Sequence, residues 1–96
     1  EGAARLFGSG KGIIKLLPRS FDLVSRDLAK MEIRDLQSGV ANIELTDFQY
    51  DEYFDLFCEA NRASIHGALL MVGEDPDVEI VQADAATGHL WLRAIW

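Results

Sequence analysis

The sequence predicts an α+β fold, a two-layer sandwich in which helices pack on a β-sheet. Three observations predict it. Wound at 3.6 residues per turn, residues 45–67 separate into an apolar stripe (Tyr50, Tyr53, Phe54, Phe57, Ala60) and an acidic one (Asp51, Asp55, Glu59). Residues 31–45 and 78–96 alternate apolar and polar side chains around glycine-bearing turns, as hairpins do. Short apolar runs bounded by Gly and Pro, such as 12–17, read as strands buried on both faces.

In chain order, residues 1–11 hold three glycines and no usable period, and read as a flexible lead-in to a single α+β domain over 12–96. GIIKLL at 12–17 reads as a buried strand ended by Pro18. Ser20 is a candidate N-cap, and Phe21, Val24, Leu28 and Met31 follow at helical spacing, which predicts a helix over about 21–30. Residues 31–38 admit two readings. A continued helix would end at Gly39, but it explains only Ile33 and Leu36. A hairpin pairing Ile33 with Ile43 puts Met31, Ile33, Ala41, Ile43 and Leu45 on one face and sets Arg34 opposite Asn42, with Glu44 diagonal. The hairpin explains more.

The next helix has unusually full start signals: Thr46 and Gln49 spaced as a capping box, and Leu45 and Tyr50 as a hydrophobic staple. Gly67 is its expected stop. Ala68–Val72 then reads as a strand, 73–77 as a turn, and 78–83 with 90–96 as a second hairpin. Pairing Ile80 with Leu92 in that hairpin stacks Val78, Leu90, Ala94 and Trp96 on one face. The other face receives Val81, Trp91 and Ile95, with Glu79 opposite Arg93. The resulting order, β-α-β-β-α-β-β-β, matches the ferredoxin-like βαββαβ plan with an added C-terminal β-hairpin. The match is a topological analogy, and that fold carries many functions.

Composition narrows the function classes. With 49% apolar and 26% charged residues, the 96-residue chain is an ordinary globular domain. Its apolar runs fall far short of the roughly 20 residues a membrane helix needs. A net charge of −7 argues against nucleic acid and anionic membrane as partners. One cysteine, Cys58, supports no internal disulfide framework and points to a reducing, cytoplasmic setting. The first residue is Glu rather than Met, which reads as a fragment or a processed chain. Charge is uneven. Residues 1–34 carry seven bases against four acids, and residues 35–96 carry two bases against twelve acids.

Catalytic patterns are weak. Gly8, Gly10, Lys11 and Gly12 suggest a phosphate loop, but Arg5 stands where its first glycine belongs and Gly12 where Ser or Thr belongs. Cys58, His66 and His89 lack a neighbouring cation to stabilise a thiolate, so Cys58 reads as packing. The carboxylates of 74–79 read as a solvated turn, short of a calcium loop. No catalytic residue, cofactor or metal ligand is expected.

Two function classes follow. The first is a non-catalytic protein-interaction module of an inhibitor or immunity type. Its acidic helix face (Asp51, Asp55, Glu59, with Phe48 as apolar anchor) would meet a basic protein partner, since complementary charge speeds encounter. The row Val81, Trp91 and Ile95, with Arg93, would form a second interface. A terminal edge strand ending in LRAIW would favour a homodimer through that strand. The alternative is a small-molecule-binding domain or small enzyme with a pocket between sheet and helices, where Tyr50, Tyr53, Asn61, Ser64 and His66 supply the polar groups.

Overall fold

The structure is a computed structural model that describes residues 9–25 and 27–96. Helix α1 (Gly10–Val24) leads into strands β1 (Lys30–Gln37) and β2 (Val40–Thr46). A 3₁₀ turn (Asp51–Tyr53) opens helix α2 (Phe54–Met71), and strands β3 (Asp77–Asp84) and β4 (His89–Ile95) complete the fold. The strands form one antiparallel sheet in the order β1-β2-β4-β3. The α+β class holds. The order is α-β-β-α-β-β, because both strands expected at 12–17 and 68–72 are helical.

The physical reasons differ. In α1, Gly10, Ile13, Ile14, Leu17 and Phe21 fall at i, i+3, i+4, i+7 and i+11, and this stripe packs on the sheet. Pro18 sits inside the helix, where it removes one backbone hydrogen bond without ending it. The cap is Ser9, which accepts from the Gly12 N–H at 3.3 Å, and Ser20 lies mid-helix. Glu74 adds a second hold, its Oε2 accepting from the Gly10 N–H at 3.1 Å. Trp96 covers Gly10 so closely that no Cβ would fit there. Of the expected lead-in, Gly10 and Lys11 therefore belong to α1, and residues 1–8 lie outside the described residues. The helix expected over 21–30 ends at Val24. A turn through Asp27, in the left-handed region at φ 65°, follows.

In α2, the capping box does not form. Thr46 stays in the sheet opposite Lys30, Asp47 turns the chain at φ 66°, and no side chain caps the helix. Strand pairing and burial of Phe48 outweigh a cap worth about 1 kcal/mol. Gly67 is no stop: Ile65, Leu69 and Val72 carry the buried stripe past it, and the chain reverses at Gly73 (φ 86°). Gly67 is exposed with open space around it, so it costs the helix only its intrinsic ~1 kcal/mol.

Both hairpins have the expected register, Ile33 opposite Ile43 and Ile80 opposite Leu92. β1 and β2 place Met31, Ile33, Ala41, Ile43 and Leu45 on the inner face, and β3 and β4 add Val78, Ile80, Leu90, Leu92 and Ala94. Both described helices lie on that face, and among the described residues no helix covers the other. The core is tied across layers by Phe48, whose ring stacks on Phe57 with centroids 4.0 Å apart.

Candidate functional site

Where α1 and α2 lie side by side, they leave a groove of about 430 Å³. α1 runs antiparallel to α2, since its start meets Glu74 beyond the end of α2 and its last turns line the groove with the first turns of α2. Leu17 and Phe21 form one wall, Tyr53, Leu56, Phe57 and Ala60 the other, and Leu28, Met31 and Ile65 contribute further apolar surface. Its polar groups are Ser20, Ser25, Ser64, Asn61 and the Tyr53 phenol, and the Asn61 amide already donates to the Phe57 carbonyl at 2.8 Å. Among the described residues, no carboxylate, imidazole, amine or guanidinium lines it. Such a lining offers shape and apolar area, and its described residues include no acid–base pair. The α2 wall stands in water: Leu56 is 69% exposed and Tyr53 56%.

Of the residues expected on the acidic face, Asp51, Asp55 and Glu59 are exposed along one side of α2. Glu59 is bonded to Arg62 at 2.8 Å. Phe48 does not join them. It is buried against Phe54 and Phe57, so it is a core residue and no surface anchor.

Val81, Trp91, Arg93 and Ile95 do share the outer face of the sheet. The bulge after Ile80 sets Gln82 rather than Val81 opposite Trp91. This face is knitted to itself. The Trp91 indole N–H donates to Asn42 Oδ1 at 2.8 Å, and the Arg93 guanidinium lies 5.7 Å from the Trp91 ring and reaches Glu79 at 3.4 Å. Glu44 receives Arg34 Nε and His89 Nε2, each at 3.1 Å. The hydrogen bonds to His89 and Arg34, in that order, hold the Glu44 carboxyl below its usual range. The expected edge strand is not an edge. β4 is paired on both sides, with β2 and β3, so its backbone has nothing left to offer a second chain. β1 and β3 are the true edges. Each carries a bulge and charged side chains, which blunt an edge against further pairing.

The remaining chemistry is dispersed. Cys58 is buried, and burial together with Asp55 and Glu59 pushes its thiol up, so it stays protonated. Glu74 and Glu79, from the acidic turn, point to different partners, Gly10 and Arg93. Among the described residues no three His, Cys, Asp or Glu side chains gather as a metal site, and no helix is long and apolar enough to cross a membrane. No protein-family model, no curated protein and no solved structure matches the chain.

The structure thus separates the two expected surfaces, acids on the helical layer and the Trp91 row on the far side of the sheet. Three of the five polar residues expected in a pocket, Tyr53, Asn61 and Ser64, do line the groove, and Tyr50 and His66 do not. The α1 wall went unseen because residues 12–17 read as a strand. Leu56 carried a visible signal, a leucine on the acidic side of a helix, where an apolar residue has no core to join.

Proposed function

We propose that this chain is a non-catalytic protein-interaction module whose docking site is the groove between α1 and α2. One observation carries the reading: an apolar groove, exposed at Leu56 and Tyr53, with no ionisable group among the described residues of its lining except the Tyr53 phenol. Exposed apolar patches on a folded domain mark places that another surface covers. A furrow between two helices is shaped for the apolar ridge of a third.

The test is occupancy by Nile red, an uncharged apolar dye. Its fluorescence rises with the wild-type protein. Leu56→Glu weakens that binding at least tenfold with an unchanged circular dichroism spectrum, and Trp91→Glu leaves it intact. Dye binding that ignores Leu56→Glu would place the apolar site elsewhere and end this reading.

A second reading is a small-molecule site. It is favoured by the groove volume of about 430 Å³, within the roughly 300–1,000 Å³ of ligand pockets. A metabolite that raises the melting temperature of the wild type, and not of Leu56→Glu, would support it. The exposed walls weigh against it, because such pockets enclose most of their ligand.

A further inference from the structure

We infer that the groove takes a basic amphipathic helix about three turns long, lying along α2. This rests on the groove being a protein-docking site and goes on to give the chemistry of its occupant. The α2 wall runs from Tyr53 to Ser64, and twelve residues at about 1.5 Å each span roughly three helical turns. Leu56 is flanked by Asp55 at i−1 and Glu59 at i+3 on α2, and Glu52 stands in the 3₁₀ turn that opens it, all exposed. Moving outward from the groove, α2 therefore presents an apolar residue first and carboxylates beyond it.

An occupant that sets its apolar stripe on Leu56 and Phe21 would bring the flanks of its helix against those acids. Lys or Arg at those flanks would complete the contact, and Asp or Glu would be repelled. Among the described residues, Arg62 pairs with Glu59, and no ion pair involves Glu52 or Asp55. A second copy of this chain fits less well, because each copy brings a net charge of −7. Within the chain, Lys11 and Lys15 of α1 lie toward the far half of α2, away from those acids.

The experiment uses three labelled twelve-residue peptides with leucine at i, i+3, i+4 and i+7, and Lys, Gln or Glu at the other positions. Fluorescence anisotropy should rank them Lys, then Gln, then Glu, with at least tenfold between the first and last. Raising salt should weaken the Lys peptide selectively. Glu52→Lys with Glu59→Lys should reverse the ranking, and Leu56→Glu should abolish binding of the Gln peptide.

A Gln peptide that binds as well as the Lys peptide, with no response to charge reversal, would overturn the basic partner and leave the docking groove standing. Nile red binding without any peptide binding would overturn it in favour of a small ligand. A wild-type dimer by light scattering, halved in mass by Leu56→Glu, would give the groove to a second copy and overturn it also. If neither dye nor peptide binds, the inference and the docking reading fall together.

Discussion

The two broad faces of this molecule solve opposite problems. The outer face of the sheet carries an indole, two guanidiniums, an imidazole and several carboxylates, and it bonds them to one another: Trp91 to Asn42, Arg93 to Glu79, and Arg34 and His89 to Glu44. Among the described residues, the helical face has few such bonds and leaves Leu56 and Tyr53 in water beside an apolar groove. A polar group that already has a partner gains little from a new one, because binding only exchanges one hydrogen bond for another. An exposed leucine has gained nothing yet, and covering it is worth about 1.5–3 kcal/mol. The difference teaches where to look for an interface. A tryptophan in an apolar row is a weaker marker than a leucine with no core to join.

The largest effect that separates inside from outside on the helical layer is a pair of truncations in α2. Leu69 is fully buried between helix and sheet, so Leu69→Ala should cost about 2–5 kcal/mol in urea unfolding. Leu56→Ala should change stability by less than about 0.5 kcal/mol while weakening occupancy of the groove. Comparable losses for the two would mean that Leu56 supports the fold, and the groove would lose its claim as a site.

A smaller effect tests the sheet face. Trp91→Phe keeps an aromatic ring beneath Arg93 and removes the N–H that Asn42 accepts. Stability should fall by about 1 kcal/mol. Nile red and peptide binding should not change at all. Loss of either would move the interface to the Trp91 row, as the sequence pattern first suggested.

How much of this was legible in the sequence depended on how local the signal was. Both hairpin registers were readable, because a period of two and a glycine turn leave one pairing that keeps Ile33, Ile43, Ile80 and Leu92 inside. Helix limits were not. Pro18 and the glycines of 10–12 look like breakers, yet the sheet beneath rewards the Ile13–Ile14–Leu17–Phe21 stripe enough to hold a helix through them. The Thr46 capping box lost to a competing local structure, since Thr46 cannot both cap α2 and pair with Lys30. The row Val81, Trp91 and Ile95 was placed on the correct side of the sheet, while the position of β4 inside the sheet was not foreseen. Hairpin pairing fixes only nearest neighbours in sequence, and β2 meets β4 across α2 and β3. The groove had no local signal of its own. It exists only because two helices well separated in sequence come to lie together, and one wall, Leu17 and Phe21, comes from the helix whose start was misread.

The smallest effect concerns pH and again divides the two faces. Glu44 is the hub of the sheet-face network, and its hydrogen bonds to His89 and Arg34 hold its folded pKa below the unfolded value. A carboxyl lowered on folding stabilises the native state fully above its unfolded range, and that stabilisation is lost as pH falls through the folded value. The urea midpoint should therefore drop on acidification below the ordinary carboxylate range, near 4.5. Glu44→Gln should flatten part of that drop while lowering the midpoint at neutral pH. No ionised group stands among the described residues of the groove's lining, so Nile red affinity should stay level over the same range for as long as the protein remains folded. A dye affinity that followed the Glu44 transition would couple the two faces through the sheet, and the separation between a self-bonded face and a docking face would have to be given up.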